Sequence, residues 1–224
     1  MDDNSPDLQR AIALADLFEL LSLAFAFPSC ELAGGLSSGA YQNDFSACLN
    51  ELGCRGKFEF AQINDDAEEL FVQMRREYSR LYLSPGELSV IYRYESAFVF
   101  AEKGGEGLPT LFVNPLVRDI EDQMREAGVL PQDYRQEPVD SVQNEFNFLH
   151  ILYTFAAASL RAGEADDAKG WLLWAEEFRR THINTWVPSF LARTVELSRI
   201  EAYRVVAQGA AQALAGWVVV RDLP

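Results

Sequence analysis

Apolar residues recur at helical intervals from Asp7 to Phe27, with Leu14, Leu17, Phe18, Leu21 and Phe25 on one face, and Pro28 stops the run. Ser5, Pro6 and Asp7 supply the start signals. A Gly- and Ser-rich stretch (Gly34, Gly35, Ser37, Ser38, Gly39) reads as a loop leading to a short helix over Tyr41–Leu52, which Gly53 and Gly56 end. Asn64 or Asp65 opens the next helix, whose stripe of Leu70, Phe71, Met74, Tyr78 and Leu81 faces away from its charges and is closed by Pro85 and Gly86. The aromatic run from Ser89 is strand-like at first and turns to a short helix near Ser96. Pro115 sits in the first turn of a helix to Ala127, and Gly128 caps its end.

The pattern then changes. Two prolines and little periodicity mark residues 129–139 as a hinge. Asp140 followed by Gln143 resembles a capping box, and the helix from Ser141 to Arg161 is apolar on nearly every side with one carboxylate, Glu145. Such a helix belongs at the centre of a fold. A helix over Glu164–Arg180 follows, then the run His182–Phe190, HINTWVPSF, which reads as a corner between helices. There Asn184 or Thr185 serves as cap, Pro188 opens a helix to Ser198, and Trp186 wedges the two helices apart. Glu201–Val220 closes the chain. The expectation is an all-α bundle of about nine helices in two interdependent subdomains, 1–128 and 140–224, joined by the hinge at 129–139.

Charge narrows the partners. Among 224 residues, 34 Asp and Glu face 19 Lys and Arg, for a formal net charge of -15. Nucleic-acid binding depends on clustered basic residues that release counterions, so nucleic acid is not expected as a partner; a basic peptide is drawn in by the same field. The three cysteines form no C-x-x-C, and no ligand cluster implies a metal or another cofactor. The acidic opening residues carry no signal or transit peptide pattern, and the apolar run from Val205 is too short to cross a bilayer. A cytoplasmic protein, not an integral membrane protein, is expected.

Three polar spots stand out: Tyr94-Glu95-Ser96, Glu137-Pro138-Val139-Asp140, and His182 with Trp186. Each has a plain structural role open to it, Asp140 as a helix cap and Tyr94 and Trp186 as packing. A small acidic hydrolase pairing Glu95 or Asp140 with His182 is the enzymatic alternative, but no activated nucleophile accompanies them, and no catalytic residue is assigned.

In this order, Tyr78-x-x-Leu81-Tyr82-Leu83-Ser84-Pro85-Gly86, Tyr94-Glu95-Ser96, Glu137-Pro138-x-Asp140 followed by Glu145-Phe146, and HINTWVPSF, the chain resembles the TorD/DmsD/NarJ family of redox-enzyme maturation chaperones. The likeness runs over nearly the whole length. It implies a two-part helical cytoplasmic chaperone that binds the twin-arginine signal peptide and the body of a molybdopterin oxidoreductase and delays export until the cofactor is in place. It also implies a peptide site at Tyr94, Glu95, Glu137, Asp140, Ser141, His182, Trp186 and Pro188. Val139 and Ser141 depart from the family, which commonly has a second acid and a histidine there. The alternative within the family is an assembly scaffold for a non-exported redox enzyme subunit of the nitrate reductase type. A hinge after Gly128 would also permit helix exchange in a homodimer. A twin-arginine peptide asks for carboxylates beside an apolar groove, with Asp140, Glu95 and Glu137 meeting the arginines and Tyr94 and Trp186 lining the groove.

Overall fold

The structure is a computed structural model describing residues 5–54, 60–63, 65–83, 91–107, 109, 114–131, 134 and 137–219, with side chains to residue 215. The chain is all-α: α1 (Pro6–Phe25), α2 (Cys30–Ser38), α3 (Ala40–Glu51), α4 (Ala67–Tyr78), α5 (Glu95–Glu102), α6 (Pro115–Glu126), α7 (Val142–Ala162), α8 (Ala165–Phe178), α9 (Asn184–Leu197) and α10 (Glu201–Val219). Widened π-turns extend α4 over Ser79–Leu83 and join α8 to α9 over Arg179–Ile183. Among the described residues no single helix is long and apolar enough to cross a membrane.

Local chemistry explains most of the boundaries. Ser5, Asp66 and Asn114 each accept a hydrogen bond from the first turn of α1, α4 and α6, and proline follows the cap in α1 and α6, where a missing N–H costs nothing. Gly39, Gly128 and Gly163 adopt positive φ where helices stop. The signals expected at Gly56, Asn64, Pro85 and Gly86 lie outside the described residues.

α7 is the centre, as its all-round apolar surface demands: α1 lies along one side and α8 along another. α3 packs on α1, α2 on α3 and α4, and α5 and α10 on α9. One contiguous core runs through both halves of the chain. Its middle is aromatic, with Phe190 of α9 meeting Phe25 (ring centroids 5.5 Å apart), Tyr82 (5.6 Å) and Trp186 (5.4 Å).

Three local expectations are corrected. The Gly/Ser stretch at 34–39 is mostly helix, because Ser29 caps α2 and Leu32, Ala33 and Leu36 bury one stripe; Gly34 meets open space and Gly35 abuts Tyr41, so neither breaks the turn. Ser141, not Asp140, caps α7, accepting from the Asn144 N–H at 3.2 Å. Ser141→Ala is expected to cost about 1 kcal/mol in urea denaturation.

The third correction concerns HINTWVPSF, which is not a corner. The Arg179–Ile183 turn runs straight into α9. Asn184 instead accepts from Arg179 Nη1 at 3.1 Å and Thr185 donates to Glu95, so neither side chain is available as a cap. Pro188 lies inside α9, where it cannot donate to the carbonyl of Asn184. The widened turn just before it gives the helix slack to continue.

Candidate functional site

The short segment before α5 and the start of α7 meet side by side. Tyr94 and Ser141 form an isolated antiparallel bridge, in which the Glu95 N–H donates to the Asp140 carbonyl at 2.8 Å and the Val142 N–H to the Arg93 carbonyl at 2.9 Å. The strand-like start expected at Ser89 lies outside the described residues, and the described part of that run, from Ile91, holds a single bridge at Tyr94. Asp140 uses its side chain here too: Oδ2 accepts from the Ser96 N–H at 2.9 Å, in the first turn of α5. The carboxylate expected to start its own helix caps another one, and so ties the two halves of the chain together.

Around this junction lies a buried polar network. Glu95 Oε2 meets His182 Nδ1 at 2.8 Å, and Glu95 Oε1 accepts from the Thr185 hydroxyl at 3.0 Å. His182 Nε2 lies 3.0 Å from Asp119 Oδ2 on α6. Glu145 of α7 accepts from the Trp186 indole N–H at 3.0 Å. Glu95 is 2% exposed, Asp140, Ser141 and Glu145 are 0%, His182 is 4% and Trp186 is 1%.

Burial and neighbours decide the protonation states. Burial pushes the Asp140 carboxyl up to about 6, against the hydrogen bonds from Ser96 and helped by Glu95. Glu145 is driven well above the ordinary carboxylate range by burial, and further by Glu95 and Asp140, the Trp186 N–H opposing only in part. It holds a proton. For His182 burial alone would favour the neutral ring, but the Glu95 and Asp119 carboxylates outweigh it and raise the value. Asp140 Oδ1, Glu145 Oε1 and the Ser96 hydroxyl have no hydrogen-bond partner among the described residues.

A second cluster flanks the first. Arg93 Nη1 donates to the Tyr78 hydroxyl at 3.1 Å, and Nη2 donates to the Tyr94 hydroxyl at 2.8 Å and to Glu137 Oε2 at 2.9 Å. Its guanidinium also lies over the Tyr94 ring, 4.8 Å from the centroid. The Tyr94 hydroxyl is pushed up to about 12 by burial, Arg93 opposing and Glu137 adding to the shift.

The structure thus brings Tyr94, Glu95, Glu137, Asp140 and Ser141 to the α5–α7 junction, ties His182 to Glu95, and places Trp186 on Glu145. Pro188 is exposed on α9, and Tyr94 and Glu137 are half-buried. The expectation that Asp140 and Glu95 fringe an open groove lined by Trp186 is corrected: all three are sealed, and the Glu137 carboxylate is already occupied by Arg93. Sequence reading also passed over Arg93, Asp119 and Glu145 as members of the cluster. Glu145 carried a signal, since the one carboxylate on a helix apolar all round must be neutralised or paired.

A helical body whose central polar groups are sealed and bonded to one another is organised to hold a shape. The family model for the nitrate reductase delta subunit matches residues 39–192, more than half of the chain, and the chain belongs to that family. Its members are chaperones of molybdoenzyme maturation rather than enzymes. No curated protein matches the chain.

Proposed function

We propose that the chain is a cytoplasmic chaperone that binds the N-terminal twin-arginine leader of a molybdenum-cofactor oxidoreductase and keeps that enzyme from export until its cofactor is inserted. The observation that carries the leader chemistry is the net charge of -15 on a member of this family. Such a field raises the encounter rate with a cationic peptide and selects against acidic ones. Of the eight residues implied by the resemblance, Tyr94, Glu137 and Pro188 reach solvent, Glu137 with its carboxylate held by Arg93. Glu95, Asp140, Ser141, His182 and Trp186 act by fixing α5, α7 and α9 relative to one another.

A second reading is favoured by the family's own description: an assembly scaffold that grips an ordinary N-terminal tail of a non-exported nitrate-reductase-type subunit. Calorimetry with a leader peptide and its Gln-Gln counterpart separates the two. The leader chaperone binds the Arg-Arg form about 10-fold or more tightly, as expected for two charge-assisted contacts. Equal affinity for both peptides would select the scaffold.

A further inference from the structure

If the chain binds a twin-arginine leader, the arginines need free carboxylates beside apolar surface. Among the described residues, the acids of the α5–α7 junction named above are enclosed or paired. A concavity of about 430 Å³ between α1 and α3 offers exposed ones. Its size falls within the range of roughly 300–1,000 Å³ usual for ligand sites. Its floor is Ile12, Ala13, Leu20 and Cys48, and its rims carry Asp16 and Glu19 from α1 and Asp44 and Glu51 from α3.

The helical spacing makes this one continuous trough. Ile12, Asp16 and Leu20 recur every fourth residue of α1, and Asp44, Ala47, Cys48 and Glu51 share one face of α3. All four carboxylates are exposed, and His150 is near enough to Asp16 to favour its charged form. Four like charges along two neighbouring helices repel, and this arrangement is unfavourable for the empty protein. The field converges on the floor, where burial first and then Asp16, Asp44 and Glu51 push the Cys48 thiol up to about 11. A concavity of about 280 Å³ beside Gln42 has one carboxylate, Asp65, and lacks this complementarity.

We infer that the α1–α3 trough is a docking surface for the client leader, its arginines taken by Asp16, Glu19, Asp44 and Glu51 and its adjoining apolar residues laid on Ile12, Leu20 and Cys48. This rests on the leader-binding reading and assigns it a place outside the Tyr94–Trp186 network. Apolar contact holds the leader, and the four carboxylates select its charge.

The probe is a labelled synthetic peptide carrying Arg-Arg followed by a Leu/Ala run, titrated into the full chain. Neutralising the rims together (Asp16→Asn, Glu19→Gln, Asp44→Asn, Glu51→Gln) relieves repulsion, so the variant is expected to fold, and circular dichroism checks this. Affinity should fall about 10- to 100-fold and lose most of its salt dependence. Ala47→Arg, at an exposed position of α3, keeps every carboxylate but tethers a guanidinium in the trough; it should weaken binding by a similar factor. Hydrogen exchange should show peptide-dependent protection in α1 and α3 of the unaltered chain. If the peptide binds the unaltered chain and both variants within twofold, the trough is not the site, and leader binding stands without it. No binding to the unaltered chain overturns the leader reading and this inference together.

Discussion

Trp186→Ala should lower the stability of the protein by about 4 kcal/mol, within the ~3–5 kcal/mol range for emptying a buried large aromatic position. The side chain is 1% exposed and packs on Phe98 (ring centroids 5.6 Å apart) and Phe190 (5.4 Å), so its removal leaves a cavity where α5, α7 and α9 meet. It also strips the Glu145 carboxyl of its indole donor, in a place where water cannot replace it. Set against the ~5–15 kcal/mol that holds a typical domain together, this is a large fraction. Trp186→Phe restores the ring contacts but not the N–H, and should recover more than half of the loss. Urea denaturation of the three proteins measures both parts. A loss below about 1 kcal/mol for Trp186→Ala would show that this junction does not hold the halves together.

How much of this was written in the chain depends on the range of the interaction concerned. α1, α4, α6 and α7 were legible because periodicity and a start signal sit close together, as at Ser5 and Pro115, although the cap of α4 is Asp66 and not the Asn64 or Asp65 expected. α2 was hidden by its two glycines, since the stripe of Leu32, Ala33 and Leu36 that buries it acts through tertiary packing. The continuous turn through His182 was hidden for another reason: a π-turn has no composition of its own, and Asn184, Thr185 and Pro188 are also the residues of a helix start. At the candidate site, sequence order named residues that do cluster, yet could not say which way they face. Asp140 looked like a local cap, but its partner is the Ser96 N–H, 44 residues earlier. Likewise Glu95 and Asp140 were read as a rim because the resemblance placed them there and a twin-arginine peptide asks for carboxylates, whereas the exposed rim carboxylates, Asp16, Glu19, Asp44 and Glu51, lie on helices that looked merely amphipathic.

The same buried acids should make the protein less stable at pH 8 than at pH 5.5. Asp140 rises from 3.8 to about 6 on folding, and Glu145 rises well above 4.5. Both therefore contribute stability that is fully present below the unfolded values and is lost as pH climbs through the folded ones. For Asp140 the whole effect is about 3 kcal/mol, most of it lost between roughly pH 4 and 6. Glu145 adds a loss of the same sign as pH rises. His182 adds to the same trend, because its folded value lies above 6.5 and its contribution fades as pH rises through it. Repulsion within a chain of net charge -15 slopes the curve the same way, so wild-type behaviour alone does not isolate the network. Glu145→Gln does. The amide keeps an acceptor for the Trp186 N–H and offers a donor toward Glu95, while having no proton to lose. The stability of the variant relative to the unaltered chain should rise from pH 5.5 to pH 8, giving a flatter curve. Parallel curves for the two proteins would mean that Glu145 does not hold its proton.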